Sequence, residues 1–436
     1  MSNIDYSDPN NTPPIGQAVP LGLQHVLAMF ASNVTPSIIV AGAAGLAFGG
    51  AEQIYLIQMA MLFAGIATLF QTIGIGPIGA RLPIMQGTSF AFVGVLAGVA
   101  ATQGLSVALT ACIIAGLIHF SLGSVIQKLR FMFPPLVTGL VILAIGLYLL
   151  PVAIKYAAGG AADFQMAADS FGSLLHWTVA LTVVVVSLAC KFMTKGLISN
   201  AAILIGLIAG YIVAVFSGMV SFGGVENAKW FQLPAVMPYG FEFSLGAVIG
   251  VTLVSLVSAI ETIGDTSATT KAGSERDATD AEISGATYAD GLGTAVAGVF
   301  GGLPNTSFSQ NVGIVGMTGI MSRHVVTIAG IIMIICGLIP KIGAVISSMP
   351  LPVLGGGVIV MFGMVAAAGM NMLSTVSMNR RNMIIISVSL AVGLGLNLVP
   401  SAVQHLPGIW KTLATSAVAP TALLAVIMNL VLPEDD

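Results

Sequence analysis

The chain has 436 residues, of which 56% are hydrophobic and 7% charged, and its mean hydropathy is +1.01. A soluble domain carries about 25% charged residues, so most of this surface has to face lipid rather than water. Net charge is −3 and no basic run occurs, which argues against a nucleic-acid partner.

Residues 1–17 are polar and Pro-rich and lack Lys and Arg. A secretory signal needs a basic start and an apolar run, so this stretch is expected to be a disordered cytoplasmic tail. Beyond it, apolar runs alternate with Gly, Pro or charge. A membrane-crossing helix needs about 20 apolar residues. On that scale the runs divide into fourteen candidate spans at 18–40, 52–73, 83–100, 104–126, 134–152, 174–190, 197–217, 244–268, 284–303, 305–321, 324–340, 351–369, 382–399 and 414–432. The third and tenth are short and interrupted. Polar stretches near 155–173 and 218–243 read as solvated external loops, and 271–282 as a cytoplasmic connector.

Basic residues test this count. With the N-terminus inside, Arg81, Lys128, Arg130, Lys191, Lys195, Lys271, Arg276, Arg323, Arg380 and Arg381 fall on the cytoplasmic side, and Lys155, Lys229, Lys341 and Lys411 outside. Such an excess is what the positive-inside rule requires. Fourteen spans divide into seven and seven, and an odd number per half gives the halves opposite orientation. A second sign of two halves is Thr88-Ser89-Phe90, which recurs as Thr306-Ser307-Phe308, 218 residues later (306 − 88). Pro83 and Gly87 precede the first copy, Gly301 and Pro304 the second. Apolar segments broken by Gly and Pro at matching positions of two halves mark inverted-repeat transporters with a midplane site.

Carboxyl groups inside a bilayer are costly and mark sites by default. Away from loops and ends, Glu261, Asp265 and Asp290 remain. Glu261 and Asp265, at i and i+4, share one face of the eighth span. Burial disfavours an ionised carboxyl, so a group such as Glu261 is suited to accept a substrate N–H when ionised and to carry a proton when not. The plainer alternatives are a helix cap or a pairing with Lys271. Asp290 precedes Gly291 at the start of the ninth span, where an N-cap or a salt bridge to a loop arginine is the alternative. Asn305, Gln310 and Asn311 interrupt the tenth segment. Unpaired amides in lipid cost several kcal/mol each, so these face protein, water or ligand, with interhelical hydrogen bonding as the plainer option. Gln24 and His25 lie in the first span, where a lone His is ordinarily a structural bridge. Cys112, Cys190 and Cys336 are isolated and form no metal-ligand spacing. No cofactor or metal is expected, and no nucleophile–base pair suggests an enzyme.

Gln310-Asn311-Val312-Gly313, with Thr318-Gly319, resembles the signature of the nucleobase–ascorbate transporter family, also called nucleobase:cation symporter 2. That signature is Gln, Glu or Pro, then Asn, any residue, Gly, four of any kind, Thr, and Arg, Lys or Gly. Further matches follow the family's order at Gln24-His25, at Gln86 to Phe90, at Glu261 with Gly264-Asp265, and at Asp290-Gly291. The resemblance, to the bacterial xanthine/urate permease branch, implies an all-α polytopic membrane protein. Its fourteen spans would form a 7+7 inverted repeat with short extended segments in spans 3 and 10. The core domain would comprise 18–130 (spans 1–4) and 244–341 (spans 8–11), and the gate domain 131–243 (spans 5–7) and 342–436 (spans 12–14). It further implies a homodimer through the gate domains, a bacterial inner-membrane location with both termini cytoplasmic, and the proton as coupling ion.

Residue by residue, the resemblance implies that Glu261 hydrogen-bonds the base N–H groups and Gln310 binds the other edge. The chain around Ser89-Phe90 and Phe308-Ser309 would contact the base. Asp290 and Asp265 would serve proton coupling and hydrogen bonding in the core. His25, with Gln24, would orient the third span near Thr88 and Ser89, and Asn311 would support Gln310. Uracil members commonly carry Glu at position 310, whereas xanthine and urate members carry Gln. An amide offers both donor and acceptor, which suits the adjacent C=O and N–H groups of an oxopurine. Xanthine and/or urate is therefore the expected substrate. Val312 stands where several xanthine members carry a second Asn, which leaves the choice between the two open. The rival readings are a uracil:proton symporter of the same fold and an anion exchanger. The interrupted segments carry no Lys or Arg beyond Arg81 and Arg323, which disfavours the exchanger.

Overall fold

The computed structural model describes residues 7–132, 134–160, 163–164 and 166–433. The chain is almost entirely helical. In order, the main elements are α1 (Ile15–Ala43), α2 (Ala51–Ile73), β1 (Gln86–Thr88), α3 (Val93–Gln103), α4 (Leu105–Leu122), α5 (Pro135–Ala157), α6 (Leu174–Met193) and α7 (Ala202–Phe216). There follow α8 (Leu245–Ser274), α9 (Asp280–Val299), β2 (Asn305–Ser307), α10 (Ser309–Thr318), α11 (Arg323–Gly337), α12 (Leu351–Leu373), α13 (Arg380–Leu398) and α14 (Val418–Val431). Eight of these helices are long and apolar enough to cross a membrane, and α11 continues through a 79° bend into the segment Pro340–Ser347. This is a multi-pass membrane protein.

The helices pack in recurrent pairs. α4 lies on α9 and α8, α2 and α1 lie on α11, and α2 touches α9. Elsewhere α5 runs along α12, α6 along α7, and α13 along α14, while α7 meets α12 and α14 meets α5. Small residues permit these crossings. A Cβ added to Gly291 of α9 would lie 2.2 Å from the backbone N of Phe120 in α4, and one on Gly369 of α12 would lie 2.3 Å from that of Leu143 in α5. α1 and α2 are mostly buried, whereas α6 and α13 are mostly exposed. The exposed faces are apolar, with Leu181, Val185, Ile384 and Val388 among them, as lipid contact requires.

Between the long helices the chain crosses itself. β1 and β2 pair antiparallel in the register Gln86↔Ser307, Gly87↔Thr306 and Thr88↔Asn305. Two flanking bonds extend the pair, from Ser89 N–H to Pro304 O (2.9 Å) and from Phe308 N–H to Met85 O (3.0 Å). The 218-residue offset of the repeated tripeptide carries Gly87 onto Asn305 and Thr88 onto Thr306 (305 − 87, 306 − 88), so the two central pairs exchange places. Non-helical backbone at membrane depth survives only where protein satisfies its polar groups. Here each broken segment satisfies the other. Gly87 is needed at the crossing, because its Cβ would lie 2.5 Å from the Phe308 ring and 2.6 Å from the Met29 methyl.

Three expectations change. The connector expected at 271–282 is confined to 275–279, because α8 runs on to Ser274 and ends at Glu275 in the left-handed region (φ 51°). α9 then starts under a capping box. Thr279 Oγ1 accepts the Glu282 N–H at 3.2 Å and Glu282 Oε2 accepts the Thr279 N–H at 2.8 Å. Asp290 consequently lies mid-helix and is not an N-cap. Of the stretch 1–17 expected to be a disordered tail, residues 1–6 lie outside the described residues, and Ile15 already begins α1. Residues 7–11 are bound to other elements. Ser7 O accepts from Ser274 Oγ (2.6 Å), Pro9 O from the Arg323 N–H (2.9 Å) and Asn11 O from Ser322 Oγ (2.6 Å).

Replacing a helical Gly by Ala ordinarily stabilises by about 0.5–1 kcal/mol, and Gly98→Ala in α3, with open space around it, should do so. Gly291→Ala should instead force α4 from α9 and destabilise by roughly 1–3 kcal/mol. Thermal unfolding of the two variants in detergent checks this contrast. Equal midpoints would refute the close-packing account of Gly291.

Candidate substrate-binding site

Breaking α3 and α10 away from β1 and β2 turns two helix N-termini into the protein interior. Backbone donors in a first turn lack intrahelical acceptors and carry the positive end of the helix dipole. Beside these two ends lies a cavity of about 210 Å³. With about 30 Å³ per liquid water, that is room for a small bicyclic ring. Its walls are Thr88–Ala91 from the first broken segment, Thr306–Gln310 from the second, and Glu261 from α8. Ile142 and Ile145 of α5 and Met364, Val365 and Ala368 of α12 complete it. The polar groups of the wall come from the crossing and from Glu261, whereas α5 and α12 contribute only apolar side chains.

The structure brings Glu261, Gln310, Thr88, Ser89, Phe90, Phe308 and Ser309 to this one cavity. The Glu261 carboxyl and the Gln310 amide make no hydrogen bond to other groups among the described residues, so both are available to a ligand. Asp265, one turn along α8, lies behind the wall. Its two oxygens accept from Ser307 Oγ and Ser309 Oγ, each at 2.7 Å, which fixes the segment that presents Phe308 and Gln310. Asp290 on α9 is deeper still and fully buried. It accepts from Gln86 Nε2 (2.6 Å), from Gln71 Nε2 (3.1 Å) and from Thr262 Oγ1. Among the described residues the only ion pair is Arg276–Glu282, so none of the three interior carboxyls pairs with Lys271 or a loop arginine.

His25 and Asn311 meet each other. Asn311 Nδ2 donates to His25 Nδ1 (3.0 Å) and to His25 O (3.2 Å), which ties α10 to α1. His25 therefore acts on the tenth segment, not on Ser89 in the third, and Asn311 anchors the turn after Gln310 without bonding Gln310 itself. Gln24 is buried beside them in α1, away from the cavity wall. The third segment is held instead by Asn33, whose Oδ1 accepts the Thr88 N–H at 2.8 Å while its Nδ2 donates to Ala60 O at 3.1 Å.

Sequence reasoning passed over Asn33, Gln71 and Thr262, and it gave Ser307, part of the repeated tripeptide, no role of its own. Asn33 and Gln71 were visible as amides inside apolar runs, the same signal that singled out Gln310. Ser258, whose Oγ donates to Thr306 Oγ1 at 3.1 Å, and the apolar residues of α5 and α12 give no such signal.

Comparison with known proteins shows the family and the fold. The profile of the Permease family matches residues 16–430. The chain is 37% identical to the uric acid permease PucK of Bacillus subtilis over 95% of either chain. It is 35% identical to the xanthine permease of the same organism, over 95% of this chain and 94% of that one. In three dimensions it resembles the transmembrane domain of the cyanobacterial bicarbonate transporter BicA, with a TM-score of 0.63, 14% identity, and coverage of 95% and 97% of the two chains. At that identity the likeness is one of fold alone. Built around two crossed, broken helices and matched along almost its whole length, the chain belongs to the permease family of nucleobase–ascorbate transporters.

Proposed function

We propose that this permease takes up an oxopurine, xanthine and/or urate, across the bacterial cytoplasmic membrane together with a proton. The observation that carries the reading is the pairing of an unengaged carboxyl, Glu261, with an unengaged carboxamide, Gln310, on one cavity between two helix N-termini. A carboxylate accepts hydrogen bonds only, whereas an amide both donates and accepts. Together they suit a flat ring that presents N–H groups on one edge and alternating C=O and N–H on another. The Phe90 and Phe308 rings flank that space. Similarity to both a uric acid permease and a xanthine permease supports the substrate class and leaves the choice within it open.

Coupling to protons follows from charge. Three carboxyls share a low-dielectric interior without a cation, and a buried charge left unpaired is costly. A proton that arrives with the base supplies the missing positive charge and leaves with it. Glu261 is the group placed to exchange it with the cavity, while Asp265 and Asp290 hold the two broken segments in hydrogen-bonding position.

Architecture supports the same reading. A seven-helix offset carries the α4–α9 contact onto α11–α2, α4–α8 onto α11–α1, α6–α7 onto α13–α14, and α7–α12 onto α14–α5. We read α1–α14 as fourteen spans in two inverted halves, with α1–α4 and α8–α11 as the core and α5–α7 and α12–α14 as the gate. The excess of basic residues on one side supports a reading with both termini in the cytoplasm, and the family resemblance supports a homodimer through the gate helices.

The deciding experiment is an uptake panel of xanthine, urate and uracil in proteoliposomes, with and without an inward proton gradient. The expected result is gradient-stimulated uptake of xanthine or urate. Transport of uracil alone, or indifference to the gradient, overturns the proposal. In the same assay Glu261→Gln should lose roughly 10–100-fold in transport, since a hydrogen bond to a charged group contributes about 1.5–3 kcal/mol, with membrane abundance unchanged. Near-normal uptake would remove Glu261 from the site. Gln310→Glu should weaken oxopurine affinity about tenfold by losing the amide donor and let uracil compete. Unchanged competition curves would refute the role of the amide.

A further inference from the structure

The rim of the cavity is exposed at Ser309, the first residue of α10, and at Met364 and Ala368 in the C-terminal half of α12, so it opens toward the membrane face where α12 ends. Toward the other membrane face it is shut. α5 and α12 run antiparallel, as the close approaches of Gly139 to Leu373 and of Gly355 to Ala157 require. Tyr148, nearly one turn beyond Ile145 on α5, therefore lies level with Met364 on α12, and Phe362 and Met361 follow up to a turn further from the rim. Three contacts join these residues to the first broken segment, to α3 and to α1. The Phe90 and Phe362 rings meet edge to face, with centroids 5.2 Å apart. Ser32 Oγ donates to Met361 Sδ at 3.1 Å. The Gly94 N–H, in the first turn of α3, donates to Tyr148 Oη at 2.7 Å.

The last contact differs from the others in being short, directed and dependent on a missing side chain. A Cβ on Gly94 would lie 2.9 Å from both Cε2 and Oη of Tyr148, so only bare backbone admits the ring. Tyr148 is buried and makes no contact with the cavity itself.

We infer that Tyr148 is a positioning residue for transport, whose hydroxyl latches the first turn of α3 to α5 and holds the cavity shut toward one membrane face. Alternating access moves one bundle against the other around the site. Exposure of the cavity to the shut face separates α3 from α5, and the bond between Gly94 and Tyr148 has to break. The latch thus sets how often the site opens to that face without touching the substrate. Its consequence for uptake rests on reading this cavity as the substrate site.

The test needs no substrate. Ala91→Cys places a thiol on the cavity wall, and a membrane-impermeant maleimide reports its accessibility in right-side-out and inside-out vesicles. The parent chain, with Cys112, Cys190 and Cys336, gives the background. Labelling should be faster from the face toward which the rim opens. Tyr148→Phe, which keeps the ring, should raise labelling from the shut face about fivefold relative to the open one, the factor expected for one hydrogen bond. Gly94→Ala, which displaces the ring and leaves the hydroxyl, should shift the ratio in the same direction. It carries the test alone should Tyr148→Phe fail to reach the membrane. An unchanged ratio in whichever of these variants reaches the membrane overturns the latch. A shifted ratio in a protein that transports neither xanthine nor urate upholds the latch and removes the substrate assignment.

Discussion

The hydrogen bonds between β1 and β2 are the constraint on which the rest of the structure depends. A helix broken inside a membrane leaves backbone donors and acceptors without water, and each costs several kcal/mol if unmet. Two breaks at the same depth solve this problem jointly. Gln86, Gly87 and Thr88 pair with Ser307, Thr306 and Asn305, so each break supplies the backbone partners that the other lacks. Everything useful about the site follows from its position. It aims two helix N-termini at one cavity, puts Phe90 and Phe308 on the cavity wall, and leaves Gln310 at its edge.

The side chains around the crossing act in tiers. Glu261 faces the cavity; Asp265 grips the second segment through Ser307 and Ser309; Asp290 grips the first through Gln86. Two carboxyls thus have structural partners and one does not. That division separates the group free to meet a ligand from those that keep it in place. A neutral pair, His25 and Asn311, ties α10 to α1 in the same manner.

Much of this was legible in the sequence, for a physical reason. In a lipid-facing chain every polar residue stands out against the apolar background, so the repeated tripeptide, the three carboxyls and Gln310 declared themselves. What polarity does not encode is the choice of partner. Asn311 could bond Gln310 or His25 equally well until α1 was placed beside α10. The apolar side of the cavity was invisible, because Ile142 or Met364 has the same composition signal as a residue facing lipid. α9 begins at Asp280, four residues ahead of the apolar run at 284, because its first turns are too polar to register as such a run while Thr279 and Glu282 cap a helix there.

The chain's first described residues have a mechanical consequence. Through the carbonyls of Ser7, Pro9 and Asn11 they fasten the end of α8 and the start of α11 just ahead of α1. Helices from opposite halves of the sequence are thereby stitched together at one membrane face, on the side where α8 and α9 are joined by only five residues, 275–279. Three hydrogen bonds across this seam oppose separation of α8 from α11. Any displacement of α1–α4 with α8–α11 against the other helices has to be absorbed in three links, from Leu122 to Pro135, from Phe216 to Leu245 and from Gly337 to Leu351, and the first and last of these end in a proline-marked helix start.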